Sequence, residues 1–228
     1  DTAKIYTDTL LPTTNKKITN EVFKAVNFFN VNYKKDNDYH LVLSPFFLRN
    51  KIIQLIENEI KNARAGKKAF IYLKLNNITD CEIINHLYEA SKAGVTIRMI
   101  IRGMISLVPG LKDISENIKA IGIVDRFLEH TRFMIFCNGG NEECYISSAD
   151  LMTRNIEHRI EVTCPVFDKN IRNEMKEIFE IQWSDNVKAR KFDASLSNEF
   201  VKPGKKVIQS QIEVYNYIKR VNEKTSEK

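Results

Sequence analysis

Apolar runs of strand length alternate with amphipathic stretches of helix length through the first half of the chain, and this alternation admits few architectures. Ile18, Val22, Val26 and Phe29 fall on one helical stripe. Residues 40–43 form a short apolar run that ends at Ser44-Pro45 and reads as a buried strand. Residues 46–65 read as a long helix with Ile52, Ile53, Leu55, Ile56 and Ile60 inward. Gly66 stops it, because glycine accepts the left-handed conformation that ends helices. Residues 70–75 form a strand, Asp80 caps a helix that closes at Gly94, and residues 95–101 form the next strand. Three strand–helix units in a row predict an α/β fold with a mixed, mainly parallel sheet and helices on both faces.

The second half changes character. Residues 132–137 and 144–148 are strand-like, and Asn138-Gly-Gly-Asn141 between them has the composition of a hairpin turn. Residues 157–164 read as a strand ended by Pro165. Residues 168–183 read as a helix capped by Asp168, with Phe179 and Trp183 packing one turn apart. A last helix is expected over 205–219, with a polar tail fraying after Asn222. Residues 31–38 are the most loop-like stretch and join a leading segment to the main body.

Composition narrows the partners. Apolar residues make up 43% and charged residues 28%, a globular balance. No apolar run reaches the roughly 18–20 residues of a membrane span, and no basic-then-apolar leader opens the chain. It begins Asp1-Thr-Ala-Lys4 without Met, which reads as a piece of something longer. Cys81, Cys137, Cys144 and Cys164 form no C-x-x-C pair and have no histidine at zinc-ligand spacing. They read as buried thiols in a reducing, cytoplasmic setting. The net charge is +6, and from Asn186 onward ten Lys/Arg stand against five Asp/Glu. That balance favours polyanions, or serves only to keep the surface solvated.

In open α/β sheets the ligand sits at the carboxyl ends of the strands. The residues there are Ser44 and Pro45, Asn76 and Asn77, and Arg102 and Gly103. Two amides and an arginine suit an anion, although Asn76 and Asn77 alone could simply shape a turn. His130 and Arg132 lie two apart at a strand start, so their side chains share a face. The hairpin returns Ser147-Ser148-Ala149-Asp150 to the same end of the sheet. Guanidinium, hydroxyls and imidazole together suit a phosphoryl group, which arginine binds bidentately and histidine can attack or protonate.

This layout is similar to the H-x-K-x(4)-D…G-S-x-N signature of the phospholipase D superfamily. Arg132 stands for its lysine, Cys137 for its aspartate and Ser147-Ser148-Ala149-Asp150 for its last run. A complete site of that family needs two such motifs, and one is present here.

A closer resemblance covers nearly the whole chain. Lys4-Ile-Tyr-Thr-Asp8, Leu73-Lys-Leu-Asn-Asn77, Ile101-Arg-Gly-Met104, Ile123-Val-Asp-Arg126, Leu128-Glu-His130, Asn138-Gly-Gly140, Tyr145-Ile-Ser-Ser-Ala-Asp150, Met152-Thr-Arg-Asn155, Ser184-Asp185 and Val187-Lys-Ala-Arg190 resemble, in order, the C-terminal region of bacterial polyphosphate kinases. The resemblance implies a phospholipase-D-like domain over 36–228 and a leading segment, 1–35, belonging to a preceding domain of the same kind. It implies reversible transfer of the terminal phosphate of ATP to polyphosphate through a phosphohistidine, on a histidine upstream of this chain. The chain alone is then expected to be inactive.

Further implications are magnesium with its ligands outside this chain, upstream domains and further copies of the chain as partners, and a cytoplasmic or membrane-associated setting. Nucleic acid is not expected. By the same resemblance Tyr6, Arg102 and His130 contact ATP, joined by Arg132, and His130 is the catalytic residue. Lys74, Asn76, Arg126, Ser147, Ser148, Arg154 and Arg159 are candidates for a polyphosphate channel, with Arg126 and Arg159 alternatively pairing with Asp125, Glu157 or Glu161. No metal ligands are expected within the chain. A phospholipase-D-type phosphodiesterase and a non-catalytic polyanion-binding module remain alternatives.

Overall fold

In the computed structural model residues 4–31, 40–202, 204 and 206–226 are described. The chain begins with β1 (Tyr6–Thr7) and α1 (Lys16–Val31), then β2 (Val42–Ser44), α2 (Leu48–Arg64), β3 (Phe70–Leu75), α3 (Cys81–Lys92) and β4 (Thr96–Ile101). Next come β5 (Ile118–Ile123), β6 (Leu128–Glu129), β7 (Phe133–Phe136), β8 (Glu143–Ser147) and α4 (Thr153–Glu157). β9 (Glu161–Pro165), α5 (Lys169–Trp183), β10 (Ala189–Phe192) and α6 (Ser210–Ser226) complete it. Eight strands form one mixed sheet in the order β10-β5-β4-β3-β7-β8-β9-β2, and β1 pairs separately with β6.

The α/β class and the two-sided covering are as expected. β1 and β6 run parallel, and within the eight-stranded sheet parallel pairing is confined to β3, β4 and β5. The β7–β8 hairpin occupies the free side of β3, so β2 pairs antiparallel with β9 at the far edge. Ile52, Leu55 and Ile56 of α2 and Ile83 and Leu87 of α3 pack on Ile71, Leu73 and Leu75 of β3. On the opposite face Met175 and Phe179 of α5 pack on Phe70, Tyr72 and Phe133. Phe179 stacks on Tyr72 at 4.9 Å and on Trp183 at 6.1 Å. No described helix is long and apolar enough to cross a membrane.

Local signals explain most boundaries. Asp80 accepts from the Ile83 amide and Asp168 from those of Asn170 and Ile171, as capping requires. Gly66 and Gly94 follow α2 and α3 with φ of 70° and 92°. Other boundaries depart from expectation. Residues 157–164 divide into the end of α4 and the start of β9. The last helix begins at Ser210, because Asp185 takes the Ser210 amide and Asn186 the Ile208 amide, holding the preceding residues in a turn. It then continues through Ser226 instead of fraying after Asn222. On α1 the buried side chains are Ile18, Glu21 and Ala25, while Val22 and Val26 are exposed. The reason is polar: the Glu21 carboxylate accepts from the Leu41 amide at 2.7 Å and meets His40 Nδ1 at 2.6 Å, turning that face inward. Phe29 and most of 31–38 lie outside the described side chains and residues. Cys137 and Cys144 are buried as expected, but Cys81 is exposed at the start of α3.

The carboxyl ends of β3 and β4, the start of β7 and the end of β8 lie at one end of the sheet. Asp150, only 4% exposed, ties them together. Its Oδ1 accepts from the Asn76 amide (2.8 Å), the Asn77 amide (3.1 Å) and Arg132 Nε (2.9 Å), and its Oδ2 from Asn77 Nδ2 (2.9 Å). Asp150→Ala leaves a largely buried guanidinium, two backbone amides and the Asn77 side-chain amide without their acceptor. We expect it to cost about 3–5 kcal/mol in a denaturant titration, with Asp150→Asn costing less.

Candidate functional site

His130 and Arg132 lead into β7 and face each other, as their spacing implies. Arg132 Nη2 lies 3.1 Å from His130 Nε2. A guanidinium only donates, so Nε2 is the acceptor and the ring carries its proton on Nδ1. Nδ1 lies 2.9 Å from Asp8 Oδ2. Asp8 is delivered by the short β1–β6 pairing, where the Leu128 amide donates to the Ile5 carbonyl and the His130 amide to the Thr7 carbonyl. Burial alone would raise the Asp8 carboxyl. Hydrogen bonds from His130 and the Thr9 amide, with the charge of Arg132 nearby, outweigh it and hold the group below the usual carboxylate range. The Tyr6 ring meets the imidazole edge-on, with centroids 5.1 Å apart.

Arg102 joins through Asn76. Its Nε donates to Asn76 Oδ1, and Asn76 Nδ2 donates to the His130 carbonyl at 3.4 Å. Gly103 makes the approach possible: a Cβ there would lie 2.5 Å from Asn77 Oδ1 and 2.9 Å from the Asn76 carbonyl. One connected network therefore runs from Arg102 through Asn76, Asp150, Arg132 and His130 to Asp8, with Tyr6 at its rim.

The remaining candidates divide differently. Lys74 does not line an open channel: it is 3% exposed, and its ammonium donates to the Thr131 carbonyl at 3.0 Å. Ser147 Oγ pairs with Thr163 Oγ1 at 2.6 Å and accepts from the Ala149 amide. Ser148 Oγ donates to Glu161, which also takes Asn155 Nδ2. Both hydroxyls therefore serve the β8–β9 connection and do not converge on the imidazole. Arg126 is exposed, with its guanidinium 5.4 Å from the Phe127 ring. Arg154 and Arg159 are exposed on α4 and the link to β9. Glu157 pairs with Arg49 rather than with Arg159. Cys137 is fully buried and bonded to the Lys68 carbonyl, so the superfamily's aspartate position offers no carboxylate.

One member of the network has no role in the sequence reading, Asp8, for which the carboxylate next to Tyr6 and Thr7 is the available signal. Among the described residues no group of three or more His, Cys, Asp or Glu could hold a metal ion. A cleft of about 460 Å³ lies at the opposite end of the sheet, lined by His40, Lys51, Tyr145, Phe167 and Arg172, and shares no residue with the network.

The model of the polyphosphate kinase C-terminal domain 2 matches residues 41–219. A polyphosphate kinase of Vibrio parahaemolyticus is 49% identical over 225 residues, covering 98% of this chain and 32% of its own length. The crystal structure of polyphosphate kinase from Porphyromonas gingivalis aligns with a TM-score of 0.89 at 39% identity, over 93% of this chain and 33% of that one. Nuc from Salmonella typhimurium, a phospholipase D family member, shares the fold at 15% identity, with a TM-score of 0.51 over 68% of this chain and 97% of its own. The chain thus spans 32% of the length of the curated relatives it matches. With a family model over most of its residues and nearly half of its positions identical to a family member's, the chain belongs to the polyphosphate kinase family, whose C-terminal domain 2 it carries on a phospholipase-D-like fold.

Proposed function

We propose that this chain is the C-terminal catalytic domain of a polyphosphate kinase and forms one wall of a site where the terminal phosphate of ATP passes reversibly to polyphosphate. The observation that carries this reading is the connected set of Arg102, Arg132 and His130 at the carboxyl end of the sheet. Phosphoryl transfer is mostly positioning and charge neutralisation. Arg102 spends its Nε on Asn76 and keeps its terminal N–H groups for phosphate oxygens. Arg132 is fixed by Asp150 and presents Nη2 beside the imidazole. Tyr6, partly exposed beside that ring, is placed to stack on or hydrogen-bond a nucleotide. His130 donates, accepts or holds, while the histidine that carries the phosphoryl group belongs to a preceding domain. Exposed Arg126, Arg154 and Arg159 extend positive charge along the path of a polyphosphate chain.

Residues 1–35 belong in this reading to the preceding domain and 36–228 to this one. The outward Val22, Phe23 and Val26 of α1 support that division, because they offer an apolar face for the preceding domain to cover. Magnesium, which this chemistry uses, finds no fit among the described acids. Asp150 already accepts four hydrogen bonds, and Asp8 is committed to His130. No step is assigned to a metal held here.

Assay of the full-length protein for phosphate exchange between ATP and polyphosphate tests the reading. In it, His130→Ala is expected to lower turnover by about 10²–10⁴-fold. Arg132→Lys costs less, keeping charge but losing the fork that joins Asp150 to His130. Unchanged turnover in His130→Ala would remove its catalytic role. Asp8→Asn removes the charge facing His130 Nδ1, leaving at most a weaker neutral acceptor, and should also slow turnover. In the unmodified protein this tie should persist on acidification until below the usual carboxylate range, because Asp8 is depressed and its contribution is lost only as pH falls through its own lowered value. The 228-residue chain alone should acquire no label from γ-phosphate-labelled ATP. Stable, acid-labile labelling of it would place the acceptor histidine here instead.

A further inference from the structure

Lys74 is the charged side chain least expected where it stands. It alternates with Leu73 and Leu75 on β3, so it points to the α5 side of the sheet, and it is almost wholly buried. Taking an ammonium group out of water is costly, and an apolar residue of similar length would fill the slot at less cost. The environment is closed: the gap beside it, lined in part by Arg102, Ile123, Glu129 and Gln182, is only about 10 Å³.

The contacts of this ammonium all lead to the network. It donates to the Thr131 carbonyl at 3.0 Å and lies 3.7 Å from Glu129 Oε2. Glu129 is held in turn by Gln182 Nε2 of α5 at 2.9 Å. Thr131 is the residue between His130 and Arg132, so the peptide that Lys74 grips orients both neighbours. The groups facing Lys74 are Glu129 and Asp8, which favour its charge, and Arg102 and Arg132, which oppose it. Burial exceeds all of these and pushes the ammonium down to about 8. The cation is therefore kept at neutral pH and given up in mild alkali. A neutral amine can still donate to Thr131, so alkali removes the charge rather than the hydrogen bond.

We propose that Lys74 is a positioning residue of the His130–Arg132 site, a buried cation that sets the Thr131 peptide and strengthens the hold of the neighbouring arginines on a polyanion. This rests on the phosphate-binding reading above and adds to it a residue that need not touch the ligand.

The test is calorimetric binding of inorganic tripolyphosphate to the full-length protein, from neutral pH to about pH 9, alongside ATP–polyphosphate exchange. The unmodified protein should lose affinity as pH passes about 8. Lys74→Met should bind about tenfold more weakly at neutral pH and lack that alkaline loss. Because Lys74→Met strands Glu129, the double variant Lys74→Met/Glu129→Gln, which removes both charges, is measured beside it and should also lack the loss. Persistence of the alkaline loss in both variants overturns the proposal, as does a weakening equal at every pH, which a merely structural role produces. Normal Lys74-dependent binding without exchange activity would retain this inference and reject the kinase reading. A full-length protein that binds no tripolyphosphate overturns both.

Discussion

The carboxylate of Asp150 is the constraint on which the rest of the site depends. Four donors converge on its two oxygens, two of them backbone amides at the end of β3, one an asparagine side chain and one the Nε of Arg132. Strands in a sheet end wherever their ladder partners end, and nothing in the ladder orients the residues beyond. Here a buried anion does so. It fixes Asn76, which passes the constraint to Arg102 and to the His130 carbonyl. It also fixes Arg132, which passes it to the imidazole. The favourable term is charge-assisted hydrogen bonding in a site of low polarity, where each bond is stronger than in water and each loss more damaging.

This explains which parts of the site were legible in the sequence. Residues after parallel strands and a pair spaced by two follow simple geometric rules, so Asn76, Arg102, His130 and Arg132 could be placed together in advance. The serine hydroxyls could not. Ser147 and Ser148 sit at the right end of the sheet, but their direction depends on Thr163 and Glu161 in β9, across a connection whose helix α4 carries no periodic signal. Lys74 reads as a channel cation in the sequence, since only the tertiary structure reveals the Thr131 carbonyl and Glu129 that make its burial tolerable. In the fold, β5 went unassigned because Lys119 and Gly122 interrupt its apolar run. Gly122 is required there: a Cβ would lie 2.9 Å from the Ile101 carbonyl and 3.0 Å from the Phe192 ring. β10 carries Arg190 and Lys191 among four residues, a charge density that marks an edge strand and resembles a loop.

The charges of the site are arranged unequally. Asp150 is buried and Glu129 largely so, and they compensate Arg132 and Lys74. Asp8 is half-exposed and compensates only the imidazole. Arg102 has no carboxylate partner among the described residues, its named acceptor being the neutral Asn76 oxygen. A network of this composition neutralises its interior and leaves positive charge on its outer side. That balance suits a surface that receives a polyanion.

The proton arrangement on His130 carries this one step further. With Nδ1–H committed to Asp8, the Nε2 lone pair is the reactive position of the ring, and it is occupied by the Nη2–H of Arg132. A phosphate oxygen is a stronger acceptor for that guanidinium than a neutral imidazole nitrogen. In the proposed function an arriving phosphoryl group would therefore draw Arg132 from Nε2 and release the lone pair as it binds, so that arginine and histidine would act in sequence rather than side by side. Their two-residue spacing provides both the contact that occupies Nε2 and the proximity that would let one ligand engage both groups.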